Sequence, residues 1–393
     1  MIDASGSSRP LTIMLVAGEP SGDQMGAQLM AGLKQIAGDG VRITGVGGAA
    51  MTAEGLKSLF PLDATSVMGL REVVPRIPAI LKRVRQATDF ALKTRPDLVV
   101  VIDSPDFTHR IAQRLKRLDP TIRTANYAPP QVWASRSYRA RKMARYMDAV
   151  LTLFPFEAVF FERYGVRAFS VGYPVIERAN RIAGGDAFRR RHGIPAAAPL
   201  LAVLPGSRRN EIRFILPPFK EAVGLLAREI PGLVSVLPTV GHVAHLVRAS
   251  AADWPTPVHV VETDEEKFAA FDAADAALAA SGTVTTELAL ARTPMAVGYR
   301  LGWLTYALAR PFVHVRHFVL INLVLGREAV PELIQGACTP EALARAVRPL
   351  LTDEAARMQQ LRDLELAVGA FGLGQESPSL RAARAVLELA SGG

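Results

Sequence analysis

Apolar runs rich in branched side chains recur along the chain, separated by longer stretches whose apolar positions return every three or four residues. In the first half the runs are 11–16, 41–46, 98–102, 149–154 and 166–171; in the second they are 200–204, 233–237, 258–261, 276–279 and 295–299. This alternation of apolar runs with helical stretches predicts βα units around a parallel sheet. The series pauses after Gly172-Tyr173-Pro174, in a mixed stretch holding Gly184-Gly185 and the Ala- and Pro-rich segment 195–199, the best linker candidate. The expectation is an α/β chain of two Rossmann-like domains, 1–180 and 181–370, followed by a last helical segment, 371–393. That helix opens on Ser377-Pro378, a good cap and first-turn pair, and carries Leu380, Ala383, Val386, Leu387 and Ala390 on one stripe.

A length of 393 residues allows each domain its own core, and 49% hydrophobic with 21% charged residues excludes extended disorder. Cys338 is the sole cysteine, which excludes a disulfide framework and a multi-thiolate metal site and points to a reducing compartment, the cytoplasm. The apolar run at 11–17 is too short for a signal-peptide core or a membrane span. Net charge is +9 and unevenly placed: residues 1–180 hold 24 basic and 16 acidic side chains, the remainder 22 and 21. The first half therefore faces something anionic. Nucleic acid is one candidate, but no zinc-finger or RNP signature occurs, and an acidic membrane surface or a phosphorylated substrate fits as well.

The candidate chemistry sits where strands end. The first strand runs into Gly18-Glu19-Pro20-Ser21-Gly22-Asp23, a turn whose glycines allow close approach and whose helix presents free N–H groups. Neither G-x-G-x-x-G nor a P-loop spacing occurs, and Gly45-Val46-Gly47-Gly48 reads as a tight turn. Glu19 and Asp23 suit turn and cap roles as well as site roles. The strand at 98–102 delivers Asp103-Ser104-Pro105-Asp106 at its carboxyl end, where open α/β sheets bind ligands; Asp106 is expected to cap a helix starting near Phe107, leaving Asp103 as the candidate general base. In the second half, Gly206-Ser207-Arg208-Arg209 after one strand and Ser281-Gly282-Thr283 with Glu287 after another suit a diphosphate and a ribose. Glu287 in a first helical turn equally suits the helix dipole. Leu70, Val73, Val74, Ile77, Ile80, Leu81 and Val84 form an apolar stripe flanked by arginines, with the composition of an interfacial membrane helix or of a core-facing one. The run Arg139, Arg141, Lys142 and Arg145 reads as a solvated helix face.

Taken in order, these motifs resemble the lipid-A-disaccharide synthase family: Ala17 to Asp23, 45–55, Val67-Met68-Gly69, 102–107, Trp133-Ala134, 153–157, 204–208, 280–287, 297–299 and Asn322 to Gln335, nearly the whole chain. The resemblance implies a glycosyltransferase-B fold, two Rossmann-like domains facing a cleft with the last helix crossing back to the first. It also implies an inverting transfer of 2,3-diacylglucosamine from UDP to 2,3-diacylglucosamine 1-phosphate, giving the β-1,6-linked disaccharide phosphate and UDP. Asp103 would be the base, with Glu19 and Asp23 next in line. Substrate contacts would come from Ser21, Gly22, Met68, Trp133, Ser207, Arg208, Gly282, Thr283, Glu287, Asn322 and Arg327. No metal or other cofactor is expected, since no Asp-x-Asp pattern stands at a plausible diphosphate position. Attachment would be peripheral, to anionic lipid on the cytoplasmic face of the inner membrane. Tyr173 stands where relatives often carry histidine, Ser135 where many carry a second tryptophan, and Ile321 where a proline is common; these departures touch acyl-chain fit and loop shape, not the reaction class. Two rival readings remain: another UDP-sugar enzyme of the same fold, either an epimerase or the peptidoglycan-precursor glucosaminyltransferase, and a non-catalytic UDP-sugar or lipid-binding protein.

Overall fold

The computed structural model describes residues 9–62, 77–132, 138–302, 306 and 317–392. They form two α/β units, Met1–Pro174 with Gln375–Gly393, and Val175–Gly374.

The first unit contains β1 (Leu11–Ala17), α1 (Pro20–Ala37), β2 (Val41–Val46), α2 (Ala49–Ala53), α3 (Ile77–Thr94), β3 (Leu98–Ile102), α4 (Pro105–Leu118), β4 (Thr124–Tyr127), α5 (Tyr138–Met143), β5 (Ala149–Thr152), α6 (Pro155–Glu162) and β6 (Arg167–Ser170). Its strands pair in parallel in the order β2-β1-β3-β4-β5-β6. Because successive side chains point to opposite faces, Ile13, Leu15 and Ala17 join Leu98, Val100 and Ile102 under α1 and the helix Pro378–Ser391. Met14, Val16, Val99 and Val101 face the other way, against Val84 and Ala87 of α3 and Phe107 and Ile111 of α4. Burial on both faces is why these strands read as unbroken apolar runs.

The helix Pro378–Ser391 starts as its sequence predicts, with the Ser377 hydroxyl accepting from the Leu380 N–H. It lies so close to α1 that a Cβ on Gly32 would come within 2.8 Å of the Ser379 carbonyl oxygen. Only glycine allows this approach.

The second unit contains α7 (Gly185–Arg191), β7 (Leu200–Leu204), α8 (Arg209–Glu229), β8 (Val234–Pro238), α9 (Gly241–Ala251), β9 (Val258–Val261), α10 (Asp264–Ala273), β10 (Ala276–Ala279), α11 (Thr283–Leu290), β11 (Met295–Tyr299), α12 (Leu320–Leu325), β12 (Glu332–Ile334), α13 (Pro340–Thr352) and α14 (Glu354–Ala370). Its parallel order is β12-β11-β10-β7-β8-β9. The stretch read as a mixed linker holds α7, whose Gly185 N–H donates to Asp272 at 2.8 Å.

Two strands escape the apolar pattern. β4 is Thr-Ala-Asn-Tyr, and β12 is three residues at a sheet edge. One helix start also differs: α4 begins at Pro105, so Asp106 lies inside its first turn and Ser104 occupies the cap position expected of Asp106. No helix among the described residues is long and apolar enough to cross a membrane.

Candidate active site

Each sheet has one point where strand order reverses, between β1 and β3 in the first unit and between β7 and β10 in the second. There the loops diverge to opposite faces and leave a crevice at the carboxyl ends of the strands. The predicted site residues after β1, β3, β7 and β10 all fall at these two points.

Asp103 follows β3 with a left-handed backbone, φ 52°, and Ser104 continues it at φ 44°; Ala128, just after neighbouring β4, is left-handed too. Consecutive left-handed residues other than glycine are costly, on the order of 1–2 kcal/mol each, and persist where surrounding bonds hold them. Those bonds are present. The Asp103 N–H donates to the Tyr127 carbonyl at 3.2 Å, and the Thr108 hydroxyl donates to the Asp103 carbonyl at 2.7 Å. On the carboxylate, Oδ1 accepts from the Ser104 N–H at 2.7 Å and Oδ2 from the Ser21 hydroxyl at 2.6 Å. The side chain is half-buried, and the exposed Ser21 sits in the first turn of α1, beside Gly22 and one residue after Pro20. A carboxylate so oriented and still reachable can take a proton from a hydroxyl.

Asp23 has a different environment. It is buried, and its carboxylate accepts from the N–H groups of Gly48 at 2.6 Å, Ala50 at 2.9 Å and Met51 at 3.1 Å. It therefore caps α2 and holds Gly48 at the end of the preceding turn, the turn-and-cap role that its sequence position also allows. Glu19 is the cap residue of α1, and its carbonyl accepts from the Asp23 N–H.

In the second unit a pocket of about 400 Å³ opens at the switch point. Ser207 and Arg208 line it from the loop after β7, and Gly282, Thr283 and Glu287 from the start of α11. The Gly206 turn demands glycine, at φ 111° with an added Cβ only 2.7 Å from Glu211 Cβ. Sequence reasoning gave no role to three charged lining residues: Arg178, Lys267 and Glu211. The Glu287 carboxylate, buried, is paired with the Arg178 guanidinium and with Lys267 Nζ at 3.3 Å. Nothing local marked Arg178, which lies in the stretch read as a linker, or Lys267, which follows the acidic run Asp264-Glu265-Glu266.

Glu211 changes the expected chemistry of the first loop. Its Oε2 accepts from the N–H groups of Ser207 at 2.9 Å and Arg208 at 3.1 Å, and its Oε1 meets an Arg208 guanidinium nitrogen at 3.3 Å. The two N–H groups expected to face a diphosphate thus hold a carboxylate in this structure. Positive charge in the pocket comes instead from the side chains of Arg178, Arg208 and Lys267, with the first N–H groups of α11. Burial, and then the Glu211 charge, raise the Tyr299 phenol above its ordinary pKa where its hydroxyl donates to Glu211.

Asn322 and Arg327, expected to reach the nucleotide, do not line this pocket. Asn322 is fully buried: its amide donates to the Val330 carbonyl and Glu332, and its oxygen accepts from the N–H groups of Ala329 and Val330. It shapes the 326–330 loop from inside. Arg327 forms a two-pronged pair with Asp363, at 2.6 and 3.0 Å, whose hydrogen bonds hold the Asp363 carboxyl below its usual pKa. Met68 and Trp133 lie outside the described residues, as do Leu70, Val73 and Val74 of the apolar stripe. Of the remainder of that stripe, Val84 is buried in the core with Ile80 packed against it, whereas Leu81 is exposed.

Two six-stranded parallel sheets, each with candidate binding loops at its switch point, define a fold of the glycosyltransferase-B type. Solved structures agree on the fold. UDP-GlcNAc 2-epimerase from Neisseria meningitidis bound to UDP-GlcNAc superposes with TM-score 0.62 at 13% identity, covering 96% of this chain and 99% of that one. MurG of Acinetobacter baumannii gives 0.57 at 18%, covering 97% and 99%. The sequence is more specific: the family profile for lipid-A-disaccharide synthetase matches residues 13–375. The lipid-A-disaccharide synthase of Rhodospirillum centenum is 46% identical over 381 residues, 97% of this chain and 95% of that protein. This chain belongs to the lipid-A-disaccharide synthase family.

Proposed function

We propose that this enzyme transfers 2,3-diacylglucosamine from its UDP donor to 2,3-diacylglucosamine 1-phosphate, forming the β-1,6-linked disaccharide 1-phosphate and UDP. Family membership supports a UDP-sugar donor and a glucosamine-based acceptor. The observation that carries the mechanism is Asp103, held by Ser21 at the first switch point. An acceptor hydroxyl is a weak nucleophile, so Asp103 takes its proton as the oxygen bonds to the anomeric carbon of the donor. The bond from that carbon to the diphosphate breaks on the opposite face, which inverts the centre. The electron pair leaves on UDP, where Arg178, Arg208 and Lys267 offset the developing charge. Glu287 keeps the two inner cations in place and offers a carboxylate edge to ribose.

Acyl-chain substrates must come from a bilayer, and the basic excess of residues 1–180 supports peripheral attachment of the first unit to anionic lipid at the cytoplasmic face of the inner membrane. The deciding experiment incubates the enzyme with both acylated sugars and analyses the product by mass. A disaccharide monophosphate appearing with UDP is expected. Conversion of soluble UDP-N-acetylglucosamine to its epimer, with no disaccharide, would replace this reading with the epimerase one.

A further inference from the structure

A second cavity, of about 270 Å³, lies in the first unit and takes no part in the arrangement described so far. The first turns of α4 form one wall through Pro105, Asp106 and Arg110, and α5 forms another through Arg139 and Lys142. Its charge is lopsided, three cations against the single carboxylate of Asp106. The cations are available, too. Neither Arg139 nor Lys142 forms a hydrogen bond or ion pair through its side chain among the described residues, and Arg110 uses only its Nε, on the Asp106 carbonyl. Unpaired cations that line a recess, instead of spreading over a convex face, repel one another until an anion joins them.

The buried lining is rigid and uncharged. His109 is buried between Asn126 and Tyr146, with Nε2 donating to the Asn126 oxygen at 3.0 Å and Nδ1 accepting from the Tyr146 hydroxyl at 3.2 Å. The tautomer follows from its partners, because the Asn126 amide nitrogen already donates to the Val101 and Tyr127 carbonyls. The imidazole is therefore satisfied when neutral, and burial lowers its pKa to about 4. The recess depends on permanent cations for its charge.

We propose that this recess is a phosphomonoester subsite, in which Arg110, Arg139 and Lys142 hold the 1-phosphate of the acceptor sugar. The proposal rests on the functional reading above, which gives Asp103 the acceptor hydroxyl. Pro105, which lines the recess, is two residues beyond Asp103, at most about 7 Å along the chain. A single sugar ring carries its phosphate and its reacting hydroxyl over a span of that order. Arginine forks and a lysine point charge suit a compact dianion. The subsite would orient the acceptor and reject sugars lacking the phosphate.

The test compares wild type with Arg139→Ala/Lys142→Ala in detergent micelles free of phospholipid, using the acceptor and the same acylated sugar without its phosphate. Loss of two charge-assisted contacts should raise the acceptor KM about tenfold or more, with the donor KM unchanged. Wild type should prefer the phosphorylated acceptor, and the variant should treat both alike. Arg139→Lys with Lys142→Arg should restore much of the preference. Retention of the wild-type preference by the double variant, or equal losses on both acceptors, would overturn the proposal. A defect confined to assays with anionic vesicles would overturn it in favour of a lipid headgroup. Should wild type be inactive on both acceptors, the functional reading fails first. Calorimetry with glucosamine 1-phosphate then still decides the subsite: binding lost in the variant supports it, and binding unaltered overturns it.

Discussion

The Ser21 hydroxyl donates to Asp103 Oδ2 at 2.6 Å, joining residues 82 apart in sequence across the point where the first sheet reverses its order. The bond fixes one carboxylate oxygen at the mouth of the crevice while the Ser104 N–H fixes the other. Both loops are thereby committed to one geometry, and the left-handed turn at Asp103 and Ser104 is held by the same contacts.

Asp103→Asn keeps the shape of this side chain and removes its basicity. Turnover should fall by roughly a hundredfold or more with UDP-sugar binding unaltered, whereas Ser21→Ala should cost less, about tenfold, because it loosens orientation only. Steady-state kinetics on the folded variants check both. Near-normal turnover in Asp103→Asn would shift the role to Glu19, since Asp23 is occupied as a cap.

The charges of the second pocket predict an order of effects on UDP affinity. Arg208→Ala should weaken UDP binding about tenfold by calorimetry. Glu287→Gln should weaken binding and also lower thermal stability, because Arg178 and Lys267 lose a buried partner. Unchanged affinity in both variants would place the nucleotide elsewhere.

The first unit should also lose stability in acid through His109. Its pKa lies near 4 when folded against an ordinary 6.5, because burial disfavours the imidazolium. The unfolded chain therefore binds the proton more readily. The stabilising effect is full above pH 6.5, declines as pH falls from 6.5 toward 4, and levels off below, amounting to on the order of 3 kcal/mol. Urea midpoints measured across this range should show that slope, and His109→Gln should flatten it.

Binding to anionic vesicles should weaken as salt rises, since each basic residue near such a surface contributes on the order of 1 kcal/mol, screened by salt. Flotation at increasing salt measures this; a salt-independent signal would assign attachment to apolar insertion alone.

The strands were legible by their apolar and branched residues, which in β3, β7 and β10 are buried on both faces: the windows at 41–46, 98–102, 200–204, 258–261, 276–279 and 295–299 coincide with β2, β3, β7, β9, β10 and β11. β4 was not legible, for a physical reason. Its Thr124 and Asn126 are buried polar residues satisfied by Tyr146, Asp148, His109 and main-chain carbonyls, partners that no apolar scan anticipates. The placement of Asp103 and Ser207 just beyond strand ends could be read, because the apolar runs before them mark where β3 and β7 stop. Arg178 and Lys267 reach the pocket from segments remote in sequence, so only tertiary packing reveals them. Asn322, a polar residue in a conspicuous motif, has its amide satisfied within its own loop, a set of bonds that the motif does not announce.

The close seating of the helix Pro378–Ser391 on Gly32 of α1 bears on how the molecule is made. Synthesis proceeds from the amino terminus, yet this helix emerges only after all of Val175–Gly374. Until then the face of the first sheet carrying Ile13, Leu15 and Val100 lacks Ala383, Val386 and Leu389. The second unit is continuous in sequence, whereas the earlier-made unit waits with apolar surface uncovered until this last helix is released. Order of manufacture and order of completion are thus reversed, and the nascent first unit is the part of this chain that chaperones have most reason to shield.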